Sequence, residues 1–380
     1  MTSPSARRTT IYLIPGFFGF ADIGGIRYFH HVCQWLEEAL QQVGVEARVH
    51  VVPTLPTASI RDRAARLHDV IVDTAPGDDS PLHLVGHSTG GLDARLYVTP
   101  GVSLAGQRQP APYAARVRSV VTLATPHQGT PLASWFASTL GKRLLQSLSL
   151  ATLYTLRFGR LPLSAVFQLV GAVARLNGHL GGSPTVLDQL YDELLADFDE
   201  ERRTIITSML LEIGRDQSLL RQLTPEGIDL FNAATADRPG VSYGCVLAMA
   251  PPPGVFSARH VRLAADAQAT HALYQVLHRL TSRHRAVAAP GPEVQEKMLR
   301  AWGRLPDARD SDGMVPVLSQ VWGTPVCCVT ADHLDVCGHF HAPAHYPPHI
   351  DWMASGSRFD RATFEGVWQE VAAFLVRSMA

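Results

Sequence analysis

Long apolar runs are missing from this chain. No uncharged apolar stretch reaches the ~18 residues that a membrane-spanning helix needs, so a bilayer-crossing helix is not expected. Cysteine is scarce: five in 380 residues. The number is odd and two of them, Cys327 and Cys328, are adjacent, on opposite faces of any strand that holds them. That does not suggest a disulfide framework, and reduced thiols in a cytoplasmic protein are the default expectation. Charge of one sign is also missing. With a net charge of -1, no global field draws in nucleic acid or an acidic membrane. No secretory signal is read at the N-terminus, because the apolar stretch after Arg7-Arg8 is only Ile11 to Ile14 before Pro15-Gly16. Internal repeats and low-complexity blocks are absent too.

What is present is an apolar chain, 46% hydrophobic and 18% charged, long enough for one large α/β domain with an insertion. Strand and helix signals alternate over the first part. Strands are expected at Ile11 to Ile14, Ala47 to Val52, Leu82 to Val85 and Val117 to Ala124. Helices are expected at His30 to Val43, Ile60 to Val72 and Leu92 to Val98. Alternation of this kind implies a mostly parallel sheet with helices on both faces, and reactive groups at the carboxyl ends of the strands. From Gly129 to about Asn232 strand signals stop and helical ones follow one another. This is too long for a loop and is read as a helical cap. The expected division is a core of residues 1–128 and 233–380 with a cap of 129–232. Within the cap, Leu163 to Val170 is the most lipid-like part, Gly159 and Gly171 are candidate hinges, and Arg157 and Arg160 argue against membrane insertion. Val241 to Ala250 and Pro325 to Thr330 return to the sheet, with helices at Ala264 to Leu280 and Phe364 to Val376. His278, Arg279, Arg283, His284 and Arg285 read as a solvated helix end.

The central motif is Gly86-His87-Ser88-Thr89-Gly90, directly after an apolar strand and before a helix. Such a turn holds its serine in strained backbone, clear of the sheet, with glycines where side chains would collide. The nearest imitation, Gly101-Val102-Ser103-Leu104-Ala105, has neither the second glycine nor the strand. Acyl transfer through a serine needs two backbone N–H groups for the oxyanion. Thr89, following the nucleophile, and Phe17, in Pro15-Gly16-Phe17-Phe18-Gly19-Phe20 after the first strand, are placed for this. A base and an orienting acid are also required. Asp312, before a glycine turn, and His333, past a strand end, follow the chain order of this arrangement. Asp310 and Asp307 rival the acid. His339, His341, His345 and His349 rival the base. No metal is expected from those histidines, since Pro347-Pro348 between the last two forbids one regular helix.

Taken together, five segments resemble the bacterial true lipases of the α/β-hydrolase superfamily, especially the Pseudomonas and Burkholderia type. They are Pro15 to Phe20, Leu84 to Leu92, Ala124-Thr125-Pro126-His127-Gln128-Gly129-Thr130, Asp312-Gly313-Met314-Val315 and His333-Leu334-Asp335. Thr224 to Gly227 and Phe231 to Ala233 are similar to the segment before the sixth strand. The resemblance implies an α/β-hydrolase fold with a lid. It further implies a lipase or esterase with Ser88 as nucleophile, Asp312 as acid and His333 as base, and oxyanion donors at Phe17 and Thr89. Partners would be an ester or lipid substrate and a transient lipid interface. No cofactor is needed for the chemistry; the family's structural calcium would fall at Asp335, with Asp266 a poor match for its second ligand. Pro15 departs from the histidine usual before the first oxyanion glycine. Two other readings stay open: hydrolysis of another ester, such as a polyester or acyl-lipid, and lipid or partner binding without turnover.

Overall fold

The structure is a computed structural model that describes residues 7–137, 139–177, 184–283, 285 and 287–379. Part of the N-terminal segment and His284 of the basic helix end thus lie outside the described residues. Eight strands are named in chain order: β1 (Arg7–Ile14), β2 (Asp22–Ile23), β3 (Ile26–Arg27), β4 (Val45–Val51), β5 (Leu82–His87), β6 (Val117–Leu123), β7 (Ser242–Met249) and β8 (Thr324–Thr330). Six of them form one sheet in the order β4-β1-β5-β6-β7-β8, parallel at every pairing. β2 and β3 make a separate antiparallel ribbon. The sheet has the alternation that the sequence predicts, and β5, with the serine turn at its end, lies in its interior. β5 is buried at all six positions, as expected of a strand covered on both faces.

Two apolar layers flank the sheet. One face packs on the helices Ile60–Thr74 and Gly90–Val98 through Tyr12, Ile14, Leu67, Leu84 and Tyr97. The other packs on Val32–Gln42 and the C-terminal Arg361–Arg377 through Ile11, Leu13, Leu36, Val85 and Trp368. Alternate residues of β1 and β5 serve opposite faces, which is the two-residue period of a strand.

Between β6 and β7 the described residues hold helices and no strand. Pro131–Phe136 and Thr139–Phe158 come first, and Leu163–Asn177, Pro184–Ala196, Glu200–Arg215, Ser218–Gln222 and Pro225–Ala234 follow. Gly159 sits in left-handed backbone between two of them, φ 73, where no side-chain Cβ is tolerated cheaply. Gly171 is inside the helix Leu163–Asn177 and so is not at a joint. All five cysteines are unpaired. No helix among the described residues is long and apolar enough to cross a membrane.

Candidate active site

The end of β5 turns into the helix Gly90–Val98 within three residues. Ser88 is held at φ 53, a region that costs a residue with a Cβ about 1 kcal/mol or more. The turn is closed by contact. A Cβ on Gly86 would lie 2.4 Å from the Gly90 carbonyl, and one on Gly90 would lie 2.2 Å from the Ile14 oxygen. No side chain fits at either position. The Ser88 N–H donates to the Leu123 carbonyl at 2.8 Å, which ties the strained residue to β6.

Three side chains meet here, Ser88 and His333 from just past the ends of β5 and β8 and Asp312 from the segment that precedes β8. His333 Nε2 is 3.0 Å from Ser88 Oγ, and His333 Nδ1 is 2.7 Å from Asp312 Oδ2. An ionised carboxylate only accepts. Nδ1 therefore carries the imidazole proton, Nε2 presents its lone pair, and the serine hydroxyl donates to it. Asp312 is held in turn by an Asx turn: its Oδ1 accepts from the Met314 and Val315 N–H groups at 2.8 and 2.7 Å. Its rival Asp310 accepts both ends of the Arg304 guanidinium at 2.6 Å and is not in this chain. Asp307 accepts from the Arg309 N–H. Of the other histidines, His339 contacts the Tyr28 carbonyl, His341 is exposed, and His345 and His349 lie with His31.

An apolar pocket opens on Ser88. Phe17, Thr89 and His333 border it, and Phe136, Leu145, Leu148 and Leu161 from the helical segment roof it. Ser88 is 5% exposed beneath that roof. Among the described residues, the backbone N–H groups of Phe17 and Thr89 meet no protein acceptor, so both are available to a ligand oxygen. The stretch Leu163 to Val170 does not line this pocket; its Phe167 is 74% exposed on the outer side.

Two supporting groups escaped sequence reasoning. Arg63 lies fully buried against Asp93 at 2.8 Å. It donates to the carbonyls of Pro15 and Gly16 at 2.9 and 3.1 Å and to that of Leu55. It thus joins the helix Gly90–Val98 to the loop carrying Phe17. Burial drives the Asp93 carboxyl up to about 6 against the pull of Arg63. The signal was a charge on the apolar stripe of its helix, between Ile60 and Leu67. The second is Tyr28, for which the sequence carries no signal. His87 Nε2 sits 2.7 Å from the His333 carbonyl and Nδ1 2.7 Å from Tyr28 Oη. A carbonyl only accepts, so Nε2 carries the proton, Tyr28 donates to Nδ1, and the Tyr28 oxygen accepts from the Gly16 N–H at 2.9 Å. One hydrogen-bonded run therefore links the Phe17 loop to the backbone of His333. Burial, with His333 alongside, keeps His87 neutral, far below its usual range.

Asp335 is not in contact with the pocket histidine's ring. Its Oδ2 accepts from the Asp332 N–H at 2.8 Å and the Ser357 hydroxyl at 2.9 Å. Burial, and mutual repulsion with Asp332 and Asp351, pushes its carboxyl well up. Asp266 is paired with Arg262 at 3.4 Å instead.

No family model and no curated protein matches the chain. Among solved structures it is similar to a metagenomic carboxyl esterase, with 16% identity over 98% of this chain and 77% of that one and a TM-score of 0.51. It is also similar to EstA from Clostridium botulinum, with 18% identity over 97% of this chain and 87% of that one and a TM-score of 0.52. Identities this low speak to architecture; together with the parallel sheet and the serine turn at the end of β5, they show that the chain has the α/β-hydrolase fold.

Proposed function

We propose that the protein is a serine-dependent carboxylic ester hydrolase of the lipase and esterase class. The observation that carries this is the run Ser88, His333, Asp312 at 3.0 and 2.7 Å, set in a strained turn beside an apolar pocket. His333 takes the Ser88 proton as Oγ attacks the ester carbonyl. The N–H groups of Phe17 and Thr89 receive the oxyanion. Collapse expels the alcohol, which takes its proton from His333. Water, deprotonated by His333, then releases the acid from the acyl-enzyme. Asp312 holds the tautomer and balances the imidazolium.

The apolar roof favours an acyl chain as the group bound beside Ser88. Residues 129–232 act as the cap of a core formed by 1–128 and 233–380. The outward Phe167 and Leu163, 74% and 45% exposed, supply an apolar face for transient contact with a lipid interface. The finer kinship, to the Pseudomonas and Burkholderia lipases, rests on the motif set alone. The chemistry calls for no cofactor. The structural calcium that the motif set implies would fall at Asp335, whose Oδ2 accepts from the Asp332 N–H and the Ser357 hydroxyl, while Asp266 pairs with Arg262. Five free cysteines support the cytoplasm as the compartment.

A series of p-nitrophenyl esters from short to long acyl chains, followed by emulsified triglyceride, tests the reading. Turnover throughout, rising with chain length, is expected. Absence of turnover on every ester would overturn it.

A further inference from the structure

On the far side of the His333 loop, three histidines from distant parts of the chain converge. His31 immediately precedes the helix Val32–Gln42. His345 and His349 come from the loop that follows His333. One nitrogen from each lies within 4.8 Å of the others, and this is the one such group of three among the described residues. His31 Nε2 and His345 Nδ1 are 3.1 Å apart. Two nitrogens bound to one tetrahedral zinc at about 2.0–2.1 Å sit about 3.3 Å from each other. The pair is therefore close to ligand spacing, and a His349 nitrogen lies within 4.8 Å of both.

The surroundings suit a metal. His349 Nδ1 is 2.7 Å from the Gly338 carbonyl, which fixes the proton there and leaves Nε2 as the lone-pair nitrogen, the usual orienting contact of a metal-bound imidazole. The Pro347 carbonyl only accepts, so His31 Nε2, 2.8 Å away, carries the ring proton in the metal-free chain and passes it to Nδ1 when the metal takes that nitrogen. His31 is held in left-handed backbone, φ 62, which points to a position maintained against local preference. Three imidazoles without a carboxylate select zinc, nickel or copper over calcium and magnesium.

We infer that His31, His345 and His349 form a binding site for a zinc-class divalent transition metal, one that clamps the loop after His333 to the start of the helix Val32–Gln42. The same loop carries His339, whose Nε2 meets the Tyr28 carbonyl at 2.8 Å. The metal thus braces the back of the Tyr28 and His87 run and takes no part in ester chemistry. The inference stands apart from the proposed activity.

The test uses the untagged full-length chain, stripped with chelator and dialysed. Zinc chloride, nickel chloride and calcium chloride are titrated by calorimetry, metal content is measured by mass spectrometry, and Tm is followed. One equivalent of zinc is expected to bind with a Kd of micromolar or tighter, raising Tm by several degrees; nickel competes and calcium does not. His345→Asn, at a partly exposed position, is expected to weaken zinc by at least tenfold, while His341→Asn, a neighbour outside the cluster, leaves it unchanged. Should His345→Asn fail to fold, cobalt in the wild-type chain decides: intense visible bands of tetrahedral nitrogen ligation support the site. Zinc content well below one equivalent, equal zinc affinity in folded His345→Asn, or a cobalt spectrum like that of the aquo ion would overturn it.

Discussion

The strand ends around Ser88 and the helices above them obey different physics. At the turn, backbone packs on backbone. A single added Cβ at Gly86 or Gly90 meets main-chain atoms at 2.4 or 2.2 Å, so residue identity is dictated. In the helical segment, side chains pack on side chains. At Gly171, an added Cβ meets nothing within 4 Å, and Leu144, Leu150, Leu153 and Leu169 share one apolar cluster in which volume matters more than identity. A rigid, over-determined turn can carry strain and hold a nucleophile. A helical cover of interchangeable apolar residues can change shape and substrate preference without disturbing it.

The sharpest way to break this contrast is at Ser88. Ser88→Ala is expected to lower kcat on the order of 10⁶-fold with Tm nearly unchanged, since the hydroxyl is not part of the core. Stopped assays on p-nitrophenyl butyrate with a thermal melt check both. Next comes the acid. Asp312→Asn is expected to cut kcat on the order of 10⁴-fold by losing the tautomer. Asp310→Asn, which loosens Arg304, should cost less than about tenfold in kcat. If Asp310→Asn proves the severe one, the two carboxylates have been assigned in the wrong order.

The helical segment 129–232 is expected to respond differently. Leu148 lines the pocket and is only partly buried. Leu148→Trp should lower kcat/KM for long-chain esters by roughly 10- to 100-fold and leave butyrate nearly untouched. Equal losses on both would mean that this segment governs the turn and not the acyl chain. Detergent or an oil interface is expected to raise long-chain activity more than short-chain activity if the roof moves.

The smallest effect is on stability against pH. Burial holds His30 and His83 down to about 3, and His339 and His349 to about 4. Below the usual histidine value near 6.5 the unfolded chain takes protons that the folded chain refuses. Their stabilisation is therefore complete above about 6.5 and is lost as pH falls toward 4. The buried carboxyl of Asp351, raised to about 6, acts the other way and favours the folded state as pH drops below that. Asp351→Asn should accordingly raise Tm at about pH 8 more than at about pH 5. A flat Tm between those values in both proteins would contradict the burial of these groups.

Legibility in the sequence followed the same division. The parallel sheet was readable from alternating periods, and the turn from glycines that sterics require. The pairing of His333 with Asp312 and Ser88 was anticipated from chain order, while the choice over Asp310 needed Arg304 in place. The helices of the 129–232 segment were visible as helices, but not which of them roofs the pocket. Leu163 to Val170 looked most lipid-like, yet Thr139–Phe158 supplies the wall, because periodicity locates an apolar face without saying what it faces. Arg63 gave a faint signal as a charge on an apolar stripe. Tyr28 and the meeting of His31 with His345 gave none, since their partners are far away in sequence.

The central claim is that Ser88 is an activated nucleophile. A fluorophosphonate probe with peptide mapping by mass spectrometry tests it most directly. The account predicts one covalent adduct per chain on the peptide holding Ser88, lost in Ser88→Ala and slowed in Asp312→Asn. An unlabelled wild-type chain, or an adduct that persists in Ser88→Ala, would contradict it.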